Sequence, residues 1–501
     1  MHLAYRQDNG HSNGRISSYD LAMRLFRISA LVIALVVSTL PQSSYADNVE
    51  ACRVPDTKWS AVSLGFPVRQ ERLKYVPKPK VLVIPFHPSD APGFTLGPEE
   101  KASFLESGKD IEQLSSGLSK IEFVFNPTIK LSMTTAELDK YKINVRQTYL
   151  KDFENDQFGF SLKFIEEADP GIDYTGIDSV ILYGFSKQSK EEIASALQFT
   201  TDMNFVGNNS KRRDGKPWFA PIVTNEKVIS NVILMYNRAE VNVITHELLH
   251  NYGLTDLYGG TRTPYGLSRM ADGPGTTLLT YEKWVLGWHP EQNVTCISGN
   301  DSQKINKIEI DIRDKEQIAL LRPNQQNLFV IETARVKEDL QLNFYKLIND
   351  ARPPIEYFSY TNFRPGVKLS DFQYGNFPFV HPADEFTLLI YSVTDTLATF
   401  YIYPNSVAKS AEVQALVTES RNIQDAKIKE AAELRAKLDA EFRAAQELKA
   451  KQEAEAKAAA EKLAAAKAAA QKKTTITCVK GKLIKKVTAA KPKCPSGYKK
   501  R

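Results

Sequence analysis

The chain has 501 residues, 42% apolar, 10% aromatic and 25% charged, with Gly and Pro at 25 each. That length has room for two or three folded units, and a mean hydropathy of -0.33 excludes both a multi-span membrane protein and a wholly disordered one. The formal charge of +6 is unevenly spread: residues 473–501 carry ten Lys or Arg and no acid, and residues 1–46 carry a net +2, which leaves about −6 for 47–472. A basic tail on a mildly acidic body argues against a nucleic-acid enzyme and for a local surface-binding element.

Residues 1–22 are polar and aperiodic, and read as an upstream extension. From Met23 the pattern changes to Arg24 and Arg27, an apolar run from Ile28, and Ser44-Tyr45-Ala46. A basic segment, a short apolar segment and a small-x-small site make a secretory signal, so cleavage is expected near Ala46 and the mature protein leaves the cytoplasm. The run to Leu40 falls short of the ~20 residues a membrane span needs.

Residues 47–78 are expected to be a short leader. KVLVIPF (80–86) reads as a buried strand, Glu122–Phe125 and Ser179–Phe185 as further strands, and Pro98–Leu118 as a helix between them. The fold class expected is α+β: a mixed catalytic domain over 79–290, then a β-rich domain over 291–405 built from KIEIDI, IALLRP, LFVIETA, FTLLIYSV and TFYIYP. Residues 409–472 lack Gly and Pro and are dominated by Ala, Lys and Glu, which predicts a long helix. Its apolar positions sustain no heptad, so a solvated helix or a weak coiled coil is expected. The small basic tail, 473–501, holds Cys478 and Cys494.

One segment carries chemistry: VNVITHELLHNYGLTDLYG, residues 241–259. His246 and His250 are four apart, so on a helix both imidazoles project from one face and can hold one metal. Glu247 lies beside that face, where its carboxylate can take a proton from a water that the metal polarises. Gly253 permits a sharp turn out of the helix, and Asp256 follows at a distance that returns a carboxylate to the metal. Three protein ligands with one open position are the arrangement of catalytic zinc. Val241, Val243, Ile244, Leu248 and Leu249 supply an apolar face to bury the helix.

HELLHNYGLTDLYG resembles the active-site helix of the immune-inhibitor-A-like family of secreted metallopeptidases, a metzincin-type group with Asp as third zinc ligand. The likeness continues in SRMADGPG, LTYEKWVLGW and KVLVIPFHPSDAPG, covers roughly 80–290, and is echoed loosely to about 403. It implies zinc held by His246, His250 and Asp256, Glu247 as general base, Met270 as the Met-turn residue, and protein or peptide substrates. Calcium enters from the likeness alone, since no DxDxDG loop occurs. Two departures stand out. The Met-turn lacks the nearby Tyr that some metzincins use to steady the oxyanion, leaving Tyr258 or Tyr265 as substitutes, and no large propeptide is evident before the first strand.

The four cysteines, Cys52, Cys296, Cys478 and Cys494, are an even number in a chain expected to be exported, which suits disulfides. Cys478 and Cys494 share the isolated tail and are expected to pair, leaving Cys52 with Cys296. The rival reading is that ACRVPD resembles the cysteine switch of matrix metalloproteinases, in which a thiolate plugs the zinc, although Arg53 stands where that motif has Gly. Glu282 is the third ligand only if the chain is a gluzincin. His87, His289 and His381 are isolated and expected to be structural or exposed, and KRRDGK (211–216) reads as a solvated basic loop before it reads as a processing site.

Together these features predict a secreted zinc endopeptidase whose basic tail meets anionic cell-envelope polymer or lipid head groups, with no nucleic-acid partner. The alternative is a peptidase-like adhesion or scaffold protein without activity, motivated by a helix and tail that no peptidase requires.

Overall fold

The computed structural model describes residues 45–57, 60–142, 157–190, 192–200, 220–258, 266, 268–271, 275–311, 313, 316–336, 339–348, 354–363, 380–383, 385–394 and 396–501. The expected upstream extension and the apolar run expected to be a signal, the 211–216 segment expected to be a basic loop, and Tyr265 lie outside the described residues. Among the described residues no helix is long and apolar enough to cross a membrane.

KVLVIPF forms β1 (Lys80–His87), flanked by β2 (Glu122–Phe125), β3 (Ile129–Lys130) and β4 (Ser179–Gly184). Beyond β4 come β5 (Ile193–Gln198), a short pair of β6 (Ile222–Val223) with β7 (Val228–Ile229), and β8 (Asn231–Tyr236). The main sheet runs β2-β1-β4-β8-β5, with β3 also on β1. Its strands are parallel until β5, which closes the edge antiparallel to β8. Parallel strands covered on both faces read as unbroken apolar runs, and here the alternation sorts them. Val81, Val83, Ile181, Tyr183, Ile233 and Met235 enter one core, while Leu82, Ile84, Val180, Leu182, Val232 and Leu234 enter the other.

The first core is covered by α1 (Pro98–Leu114), through Phe104 and Ile111. Pro98 at the first helical position and Glu99 and Glu100 in the first turn suit the start of that helix. It ends four residues before the expected Leu118, because Ser116 and Gly117 take positive φ of 54° and 82° and turn the chain away. The second core is covered by α2 (Thr135–Lys142) and α3 (Gln157–Ala168), which bring Leu138, Phe160 and Phe164.

The first core does not stop at the main sheet. It takes in α4 (Val241–Tyr252) and α5 (Thr280–Leu286), and continues into Val294, Leu320, Val330, Tyr345 and Leu347. Those last residues belong to a five-stranded sheet of β9 (Val294–Ser298), β11 (Ile318–Arg322), β12 (Asn327–Val336), β13 (Asp339–Ile348) and β14 (Ile355–Phe363), ordered β14-β13-β12-β11-β9. The remaining four-stranded sheet pairs β10 (Asn306–Asp311) with β17 (Leu397–Pro404), β16 (Phe386–Val393) and β15 (Val380–Ala383). The division expected near residue 290 therefore runs through a shared core. The segment expected to be a leader is built into that core too: Cys52, Val54, Leu64, Val68 and Leu73 are buried, and Cys52 is bonded to Cys296 on β9. Arg72, 1% exposed, donates to the Ser230 and Phe199 carbonyls and to Asn231 Oδ1, which repays its burial with hydrogen bonds.

Among the described residues, contacts divide the chain into two compact units, one reaching to residue 414 and the other covering 415–501. The first unit is mixed α/β. The long helix α6 (Ala411–Ala470) has 60 residues, about 90 Å at ~1.5 Å per residue. From residue 432 to its end every residue is exposed, including Leu434, Leu438, Phe442, Leu448 and Leu463. After it, β18 (Thr474–Lys480), β19 (Leu483–Ala489) and β20 (Lys499–Lys500) form a small sheet closed by Cys478–Cys494.

Candidate metal centre

The helix that carries HELLH, α4, leaves the apolar strand β8 after a four-residue turn and buries Ile244, Leu248, Leu249 and Tyr252 in the first core. Leu248 is fully buried, so truncating it to Ala removes about 2–5 kcal/mol. Of the expected apolar face, Val243 packs against the core and Val241 stays half-exposed. The helix stops at Gly253, whose φ is 117°, and a Cβ there would lie 2.5 Å from Val68 Cγ1. Backbone conformation and close approach both require glycine at this position, and the turn sends the chain back toward the helix face.

That return places Asp256 opposite the two histidines. Asp256 Oδ1 lies 3.2 Å from His246 Nε2 and 3.3 Å from His250 Nε2, and the potential ligand atoms of the three residues all lie within 4.8 Å of one another. The other ring nitrogens are fixed from behind. His250 Nδ1 donates to the Leu254 carbonyl at 2.8 Å, and His246 Nδ1 donates to the Arg269 carbonyl at 2.7 Å. A proton held at Nδ1 leaves Nε2 of each ring to serve as the ligand atom.

Electrostatics agree with the geometry. Burial opposes protonation of His250, but its bond to Asp256 and the charges of Asp256 and Glu247 outweigh burial and push it up to about 9. Burial likewise opposes ionisation of Asp256, yet the bonds and charges of His246 and His250 hold it well below the usual carboxylate range. The carboxylates of Asp256 and Glu247 thus favour positive charge at His250.

Glu247 is 6% exposed, and its Oε2 accepts the Ala196 N–H at 2.6 Å. Ala196 lies on the edge strand β5, so this bond ties the carboxylate to the end of the main sheet. Met270 is fully buried in the core shared with α4, in a turn tied by Leu257 N–H to the Met270 carbonyl and by Met270 N–H to Ser268 Oγ. Tyr258 stacks on the His246 ring, with centroids 6.1 Å apart and an interplanar angle of 25°.

Two partners of the site have no signal in the sequence. Asp110, on α1, accepts from Arg269 Nη2 at 2.6 Å and from Thr245 Oγ1 at 3.1 Å, so it braces the segment whose carbonyl orients His246. The Ala196 N–H is a backbone group, invisible to any reading of side chains. Glu282 is not brought to the cluster: it is fully buried, and accepts from Ser268 Oγ and from the Leu279 N–H. Cys52 is sealed in its disulfide with Cys296 at a Cα–Cα distance of 5.9 Å, so its sulfur cannot act as a plug for the site. His87 and His289 are buried away from the cluster, and the side chain of His381 lies outside the described residues. Among the described residues, no second group of three His, Cys, Asp or Glu side chains converges as this one does. No family model matches the chain, and a search of curated proteins finds no match either.

Proposed function

We propose that the chain is a secreted zinc-dependent endopeptidase of metzincin type, akin to the immune-inhibitor-A-like peptidases that its HELLHNYGLTD segment resembles. The observation that carries this is the convergence of His246, His250 and Asp256 on one point, with Glu247 beside it. Two imidazole nitrogens and one carboxylate oxygen are a donor set that fits zinc and leaves a position open. When bound, zinc supplies Lewis acidity toward the scissile carbonyl and lowers the pKa of water at the open position.

The chain's own groups do the rest. Glu247 takes the proton of the attacking water at its carboxylate and returns it to the leaving amine. The Nδ1 bonds of His246 and His250 keep both rings in register for the site. β5 ends the main sheet, and a substrate strand can pair with it by main-chain hydrogen bonds at positions other than Ala196, whose N–H is held by Glu247. The two disulfides and the signal-like segment near the start support an oxidising, extracytoplasmic setting.

The decisive experiment is Glu247→Gln, with zinc content and casein hydrolysis measured on the same preparation. Zinc retained with hydrolysis lost by about 10²–10⁴-fold is expected. Hydrolysis at the wild-type rate removes Glu247 from the chemistry. A wild-type protein that holds zinc and cleaves nothing supports the scaffold reading instead.

A further inference from the structure

The tail contains a surface that the metal site does not explain. Strands β18 and β19 form a hairpin around the two-residue turn Gly481-Lys482, where Gly481 takes a φ of 59° suited to a primed turn. The buried side chains of this small sheet are Ile476 and Cys478, at 9% and 0% exposure. Two further aliphatics of the same size are not buried with them. Leu483 and Ile484 stand at the hairpin tip, opposite Lys480 and Val479, and are 63% and 61% exposed.

Cations ring that tip. Lys480, Lys482, Lys485 and Lys486 flank it along the hairpin, and β20 places Lys499 opposite Val479 and Lys500 opposite Cys478. All six are exposed, and no acid occurs anywhere in 473–501. A soluble polyanion would be met by the charges alone and gives no reason for an aliphatic pair held out in water. A second copy of the edge strand β19 is disfavoured, because Lys485 and Lys486 would face like charge. An apolar tip within a cationic rim fits the boundary between acyl chains and phosphate headgroups, where stable attachment needs both signals.

We infer that the disulfide-closed tail docks on anionic phospholipid bilayers, with Leu483 and Ile484 seated among the headgroups and the surrounding lysines on the phosphates. This is independent of the metal site. Each cation near such a surface is worth about fivefold in affinity, so replacing Lys482, Lys485 and Lys486 together by Gln should weaken binding about a hundredfold.

The test uses the full chain with vesicles of phosphatidylcholine alone and of phosphatidylcholine mixed with phosphatidylglycerol, by co-sedimentation at low and high salt. Binding to the mixed vesicles only, weakened by salt, is expected. L483S/I484S should lose about tenfold or more with an unchanged salt dependence, because it removes apolar burial and no charge. L483W should gain a blue-shifted emission component on mixed vesicles that bromolipids quench. Both positions are exposed, so neither variant disturbs the fold, and loss of zinc binding elsewhere leaves the result untouched. L483S/I484S binding like the wild type, or an unshifted L483W spectrum, overturns the proposal. Inorganic polyphosphate bound as tightly as the vesicles overturns it too, and makes the tail a polyanion binder.

Discussion

Asp110→Asn probes the brace behind the proposed metal site. The Asp110 carboxylate joins Arg269 at 2.6 Å and Thr245 at 3.1 Å, with the Asp110 and Arg269 side chains only 16% and 15% exposed. The Arg269 carbonyl in turn holds His246 Nδ1 at 2.7 Å. Removing the charge leaves Arg269 without its counter-ion in a mostly buried position. One-sided loss of a fully buried pair costs about 3–5 kcal/mol, and partial exposure scales that to about 1–3 here. The segment behind His246 then loosens, and groups that orient metal ligands in this way contribute about 10–100-fold in metal affinity. Competition with a chromophoric chelator should show that loss, and thermal melts of the metal-free protein should fall by several degrees. Thr245→Val, which removes only the longer bond, should do less to both. Lower stability with unchanged zinc affinity would refute the brace and leave Asp110 a purely structural residue.

Asp256→Ala should abolish high-affinity zinc binding, measured by metal content after dialysis, whereas Glu282→Ala should leave the site filled; the reverse result would assign the third ligand to Glu282. Burial raises Glu282 to about 8 and Glu332, close by, to about 7. The native state thus holds protons that the unfolded state has released, and stability falls as pH rises from about 4.5 through 8. Glu282→Gln should therefore be more stable than the wild type in urea melts at pH above 8, with the difference fading toward pH 4. Breaking Cys52–Cys296, which spans 244 residues, by Cys→Ser at both positions should cost about 2–5 kcal/mol; activity that falls on reduction of the wild type but not of the double variant would point to a thiolate switch.

Local chemistry was legible where spacing along the chain decides it. The four-residue interval of His246 and His250 sets both rings on one helical face, Gly253 ends the helix, and the Gly- and Pro-free stretch after residue 409 becomes α6. The tail pairing of Cys478 with Cys494 follows from their isolation. Other features needed the third dimension. NVILMY is too short a run to distinguish strand from buried helix, and β5 carries Ala and Ser, whose small side chains announce nothing. Glu282 follows an apolar segment as Asp256 does, yet burial beneath the Ser268 turn takes it away from the histidines. Asp110 meets Arg269 across 159 positions, and the segment 47–78 is drawn into a core that residues up to 355 complete. Sequence determines what repeats within a turn of helix or a pair of strands. Only the tertiary structure decides which distant groups share a low-dielectric space, because burial and charge act through distance in space and not along the chain.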